Sequence, residues 1–253
     1  MFLPRLLSLA LATSALIASA QTTITGTYNT GAGKTAGSAD ANWDVYRFTN
    51  SSGLNVVTGS AGLATYLAST PVAVATARNA SPFSSAWVTP TAASNSLWLS
   101  LAANASGQAI HDPLNGGGYA FVLDLGQILQ PVATFAQPVS LSFSLRGDNG
   151  FSAHLLNNAS GTGYAQLASI LGSTDSNFGA ANAPTVSYTG IVDSSTELVI
   201  LLSNDTQTAG NPGGILVQNF SLAYSAIPEP ATYAAIFGVA LLGIALWSRR
   251  RRS

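Results

Sequence analysis

Only 8% of the 253 residues are Asp, Glu, Lys or Arg, and none is cysteine; ordinary soluble domains carry roughly 25% charged residues. Away from the two ends, four basic and nine acidic residues remain, a net charge of −5. Such a chain cannot neutralise a run of phosphates, which excludes nucleic acid as a partner. Without cysteine there is no disulfide, thiol nucleophile or thiolate metal site.

The chain opens with one positive charge at Arg5, then an apolar run from Leu6 to Ile17 interrupted only by small hydroxyls. Ala18-Ser19-Ala20 fits the small-x-small cleavage rule, so residues 1–20 are expected to be a signal peptide, cut between Ala20 and Gln21. Residues 21–226 are then the exported part, long enough for one β-sandwich with a sizeable core.

This part reads as strands and loops, with no sustained helical period. Thr22 to Tyr28 is short and β-branched, and Gly31 to Ala41 is a small-residue loop. Trp43 to Phe48 alternates like a half-buried strand. Leu63 to Ala68 could form a helical turn within the Ala-rich stretch 61–77. Ser85 to Val88, Leu97 to Leu101 and Tyr119 to Leu125 follow as strands. Val139 to Leu145 is the clearest element, with Val139, Leu141, Phe143 and Leu145 on one face and Ser140, Ser142 and Ser144 on the other. Arg146 to Gly150 is read as a polar hairpin tip, with Phe151 to Asn157 returning. Thr185 to Tyr188 is a short strand. Leu198 to Leu202 is continuously apolar, as a central strand covered on both faces should be. Ile215 to Tyr224 closes the domain, with Leu216, Phe220, Leu222 and Tyr224 expected on one face. Short strands between Gly/Asn/Pro/Ser clusters predict an all-β fold, a single β-sandwich or jelly roll.

The last segment, 227–253, is of another kind. Pro228-Glu229-Pro230 precedes an uncharged stretch, 231–248, and Arg249, Arg250, Arg251 and Arg252 follow. Eighteen residues of helix span roughly 27 Å, just enough for a hydrocarbon core of about 30 Å. This predicts one C-terminal transmembrane helix with the arginines on the cytoplasmic side and the sandwich outside, close to the membrane. Pro-Glu-Pro, a short apolar helix and a terminal Arg cluster together resemble the PEP-CTERM sorting signal of exported proteins in Gram-negative bacteria that make exopolysaccharide. That resemblance implies an inner-membrane intermediate and a membrane protease, exosortase, that recognises and processes the tail. It then implies delivery to the cell surface or the extracellular space.

A second resemblance covers most of the exported part. Asp40-Ala41-Asn42-Trp43-Asp44-Val45, Ser85-Ala86-Trp87-Val88-Thr89-Pro90, Leu145-Arg146-Gly147-Asp148-Asn149-Gly150 and Asn211-Pro212-Gly213-Gly214-Ile215-Leu216-Val217 are similar to segments of galactose-binding-domain-like jelly rolls. Leu155-Leu156-Asn157-Asn158 departs from the Asn-Gly turn that such domains often place there. The resemblance implies a β-sandwich and, in many members, glycan binding; fold alone does not give function.

Several motifs bear on chemistry. Gly31-Ala32-Gly33-Lys34-Thr35 looks like part of a phosphate loop, but Tyr28 stands where the pattern needs glycine. Arg146-Gly147-Asp148 spells an adhesion tripeptide, read here as turn chemistry. His111-Asp112 and His154 lack the partners of a zinc or nucleophilic site. Glu197, the only glutamate left in the exported part, makes a paired-carboxylate hydrolase improbable, and no catalytic residue is assigned. Asp40 with Asp44, or Asp148 with Asn149, offer oxygen atoms that could suit calcium, though no complete ligand set emerges; no other cofactor is expected. The sequence reads as a non-enzymatic exported surface or extracellular-matrix protein of biofilm or exopolysaccharide. The alternative is a glycan-binding module for the producer's own exopolysaccharide, using Trp43, Trp87, Asp148 and Asn149. Its discriminating feature is a solvent-exposed tryptophan or tyrosine beside Asp/Asn loops.

Overall fold

A computed structural model describes residues 21–48, 72–73, 78–80, 87–100, 117–130, 136–148, 150–157, 165–174, 177–180, 182–204, 213–225 and 230–250. The strands are β1 (Gln21–Thr25), β2 (Asp44–Phe48), β3 (Val72–Ala73), β4 (Arg78–Ala80), β5 (Trp98–Ser100), β6 (Gly117–Asp124), β7 (Gln137–Asp148), β8 (Phe151–Asn157), β9 (Ala165–Thr174), β10 (Thr185–Val192), β11 (Thr196–Asn204) and β12 (Gly214–Ser225). Two helices are α1 (Leu125–Leu129) and the tail helix α2 (Pro230–Arg250). Residues Thr23–Tyr224 form one compact unit, and α2 belongs to a second.

The strands make two antiparallel sheets. One has the order β10-β7-β12-β5-β4, with β1 also on β12; the other runs β3-β2-β6-β11-β8-β9. The all-β sandwich expected from the sequence is therefore what the chain forms. Val45, Phe121, Leu123, Ile200 and Leu155 from one sheet meet Leu141, Phe143, Val217 and Leu222 from the other in a single core. The alternation of Val139, Leu141, Phe143 and Leu145 buries that face of β7, while Ser140, Ser142 and Ser144 stay at least partly exposed. The central strand β11 is buried along Leu198 to Leu202 on both of its faces, as its unbroken apolar run requires.

Three differences from the sequence reading have physical causes. Arg146 to Asp148 belongs to β7 and not to a hairpin tip. There Gly147 packs on Phe151, so close that an added Cβ would lie 2.5 Å from the ring. In β12 the register shifts between Gln218 and Ser221, with Asn219 at φ 55°. This bulge reverses the alternation. Ile215 and Val217 therefore share the main core with Phe220, Leu222 and Tyr224, while Leu216 faces the other way, onto Trp87 and Trp98. Val88 is not in a strand; its main chain instead bonds to Phe178 and to the indole of Trp98. The helical turn expected at Leu63 to Ala68 lies outside the described residues.

The first described residues are sewn into the last strand of the sandwich. The bulge leaves Phe220 without a ladder partner, and its N–H donates to Asn29 Oδ1 at 2.9 Å while its carbonyl accepts from Gly26 N–H at 2.8 Å. Asn29 Nδ2 reaches Ser94 O at 2.9 Å. Thr30 Oγ1 donates to Leu97 O at 2.7 Å and accepts from Val217 N–H at 3.1 Å. Both side chains are buried polar groups, and these bonds are what make their burial affordable.

Candidate functional site

Two regions bear on function: the tail, and the loops and faces of the sandwich. Proline opens α2, at the position where its missing N–H costs a helix nothing. The helix has 21 residues, roughly 32 Å of rise. Phe237, Val239, Leu241, Leu242 and Ile244 are all exposed. With Gly238, Ala240 and Gly243 between them, they give this stretch no polar side at all, unlike the one-sided stripe of a helix that packs on a globular core. Arg249 and Arg250 lie in the last turn, where positive charge complements the helix dipole. Among the described residues no helix is long and apolar enough to cross a membrane. Ala20, Pro228, Glu229, Arg251 and Arg252 lie outside the described residues; Gln21 is the first residue of β1.

Among the described residues, no tryptophan of the sandwich presents an aromatic platform. Trp43 is 1% exposed and sits in the main core. Trp87, 5% exposed, lies 4.5 Å from the ring of Trp98 and 6.3 Å from that of Phe178. Trp98 is buried and donates its indole N–H to Val88 O at 2.9 Å. Tyr119 is buried too. The remaining tryptophan, Trp247, is exposed but belongs to α2. Trp43 and Trp87 are therefore core residues: their apolar area fills the sandwich, and no ring face remains for a sugar to stack upon. Asp148 is buried in β7, Asn149 lies outside the described residues, and so does Tyr164.

The remaining motifs resolve into structure. In the Gly31 to Thr35 loop the amides that could hold a phosphate are taken: Gly31 N–H donates to Asp40 Oδ2 at 2.6 Å and Gly33 N–H to Asn95 Oδ1 at 3.0 Å. Asp40 is fully buried, and its Oδ1 accepts from Asn42 N–H at 3.1 Å. Both of its oxygens thus serve the turn. Asp44 begins β2 with its side chain exposed, and no group of three His, Asp or Glu suited to a metal occurs among the described residues. The Arg146-Gly147-Asp148 tripeptide is buried. Arg146 donates to Gln218 Oε1 at 2.8 Å, and Asn177 accepts from Gly147 N–H at 2.8 Å.

His111 lies outside the described residues. His154 does not sit at an exposed edge; it is 4% exposed on β8, and Nε2 is 2.9 Å from Ser152 Oγ while Nδ1 is buried without a partner. Burial pushes its pKa down from 6.5 to about 4, so the ring is neutral at ordinary pH. Tyr46 is held above the usual phenol range by burial, then by the charges of Asp44 and Glu197. Asp193, in the turn between β10 and β11, is held low chiefly by Ser195, whose hydroxyl donates to Oδ1 at 2.6 Å. Ser195 also bonds to Asn157 Oδ1, and Asn157 Nδ2 donates to Asp193 Oδ2 at 3.1 Å. That network, like the Asn29–Thr30 seam, ties strands together.

The tail is decided by comparison with known families. Residues 226–252 match the PEP-CTERM protein-sorting motif. A chain with a PEP-CTERM tail is an exported protein that passes through a membrane. No curated protein matches the sequence. Among solved structures, the chain is similar to a mutant family 29 carbohydrate-binding module at 9% identity, covering 81% of this chain and 92% of that one with a TM-score of 0.32. It is also similar to a family 29 module from Piromyces equi at 10% identity, covering 82% and 91% with a TM-score of 0.30. The xylanase 10B modules of Clostridium thermocellum overlap at 9% identity and a TM-score of 0.27, over 45% of this chain and 22% of theirs. Likeness at these scores carries no argument about a ligand. The sandwich assignment rests on the strand pairing itself.

Proposed function

We propose that this chain is a non-catalytic β-sandwich protein of the extracellular matrix, delivered by its PEP-CTERM tail. The signal peptide starts export. Segment 231–248 then holds the protein in the inner membrane, with the sandwich on the periplasmic side and the arginines in the cytoplasm. An exosortase-like protease recognises Pro228-Glu229-Pro230 and releases the sandwich to the cell surface or the exopolysaccharide. The observation that carries this reading is the tail: a sorting motif over 226–252 whose described helix exposes apolar residues on every side and ends in Arg249 and Arg250. A non-catalytic role is supported by the fate of the candidate groups, since His154 is buried and Asp40 and Arg146 are committed to main-chain and amide partners. Glycan recognition through Trp43 or Trp87 forms no part of it, because both rings are inside.

The test is to express the full chain in a Gram-negative host with and without an exosortase-type protease and to measure the mass and location of the product. Cleavage near Pro228 and release of the sandwich are expected only with the protease, and a variant with all three motif residues replaced by alanine should stay in the membrane. A product left uncleaved in the inner membrane in the presence of a matched protease would refute the sorting half of the proposal.

A further inference from the structure

The two sheets are closed very differently at their edges. On one side the described edge strands are β3, two residues, and β4, three residues. Very short edges are a usual protection against stray pairing. On the other side the edges are β9 and β10, with ten and eight residues and neither charge nor proline. β9 is irregular, with register shifts against β8 at three places, and such bulges blunt an edge. β10 is regular: all eight residues pair with β7 without a shift. Among the described residues it has no second neighbour.

The direction of its free groups can be read from one bond. Leu145 N–H donates to Pro184 O at 3.1 Å, one step before the Ser144–Thr185 pair. In an antiparallel ladder this assigns 186, 188, 190 and 192 to bonding with β7. The N–H and C=O groups of Thr185, Ser187, Thr189 and Ile191 therefore point away from the sheet. These four residues are also the exposed ones of the strand. Ile191, at 64%, and Leu167 on β9, at 44%, are the exposed large hydrophobic residues of the sandwich among those described. Both lie on this one side, where β9 and β10 approach each other.

We propose that β10 is an assembly edge that pairs with β10 of a second copy of this chain. A two-fold axis beside Tyr188 sets Thr185 against Ile191 and Ser187 against Thr189 in the partner. All four outward residues then fall in bonded pairs, on the order of eight main-chain hydrogen bonds once the Tyr188 hydroxyl, which reaches Ile191 O at 3.4 Å, swings aside. The strand suits itself in this register. It meets only hydroxyl and β-branched groups across the axis, Ile191 is covered by a threonine, and no like charges face each other despite a net −5 on each domain. The inference goes beyond the sorting reading and does not depend on it, since tail cleavage and edge pairing have separate readouts.

The test uses the full chain in a mild detergent. Light scattering should give twice the mass of one chain. T189K, which sets the lysines of the two copies diagonally opposite each other across the axis, should weaken the dimer at least tenfold without altering the melting curve; Q127K, the same charge on α1, should leave the dimer intact. Because the chain has no cysteine, S187C/T189C should cross-link into a dimer on oxidation, and S187C alone should do so at least tenfold less. Association through α2 would instead leave T189K dimeric. A monomeric wild type, a dimeric T189K, or equal cross-linking by the single and double variants would each overturn the proposal.

Discussion

Lowering the pH should weaken the sandwich through a single side chain. His154 is neutral when folded, with a pKa of about 4 against 6.5 when free. The unfolded chain therefore binds one more proton between these values, and unfolding gains free energy as pH falls through that window. The contribution of neutral His154 is complete above 6.5, declines steadily below it, and is fully lost at about 4. Between about pH 7.5 and about pH 5 the loss is about 2 kcal/mol, from the difference in proton binding at the two pKa values. Most carboxylates titrate below this interval, so the histidine dominates it. Urea unfolding at the two pH values, followed by the emission of the buried tryptophans, measures the change. His154→Gln keeps a polar partner for Ser152 and cannot titrate, so its stability should be nearly level across the same interval. Equal slopes for wild type and variant would refute the assignment of His154 as a buried neutral base.

The seam between the first and last parts of the sandwich can be opened with one isosteric change. Thr30→Val keeps the shape but strands Leu97 O and Val217 N–H, costing about 2–4 kcal/mol, or roughly 4–16 °C in melting temperature for a domain of this size. A shift below about 1 °C would show that these bonds are not made. Gly126→Ala places a Cβ 2.3 Å from Ser194 O; main chain must move, and a loss of about 1–3 kcal/mol is expected in the same assay. Iodide should quench the exposed Trp247 alone, so Trp247→Phe should leave an emission insensitive to iodide; strong residual quenching would put Trp43, Trp87 or Trp98 at the surface.

What the sequence revealed followed burial. β7 was legible because one face alternates toward the core along most of its length, and β11 because an unbroken apolar run needs cover on both sides. The alternation of β12 misled at Leu216, because one asparagine in a left-handed conformation, Asn219, inserts a residue and reverses every side chain upstream of it. The second half of β10 was hidden by Gly190, which reads as a breaker. In the fold it makes room for the ring of Tyr188, whose hydroxyl would lie 2.1 Å from an added Cβ. Helix α1 is too short for any period to show. Its one signal is Asp124, which accepts from Gln127 N–H at 2.7 Å as a helix cap. For the site, the tail was readable because it is linear: Pro-Glu-Pro, an apolar run and arginines act by adjacency in sequence. The tryptophans were not, because an aromatic beside Asp and Asn looks the same whether the strand turns it outward or in. Nor could the sequence reveal the edge of β10, which depends on strands far apart in the chain.

The position of β12 also fixes how this protein bears load. The chain leaves β12 at Ser225 for the tail, so a pull on that end acts along the axis of β12. Its bonds to β7, and those of Phe220 and Val217 to Gly26, Asn29 and Thr30, are stressed in shear. They must fail together and not one after another. A grip on β10 would pass force to β12 through β7, across the unbroken β10–β7 ladder and the bulged β7–β12 ladder. A pull between Ser225 and β10 is thus resisted by shear along whole strands.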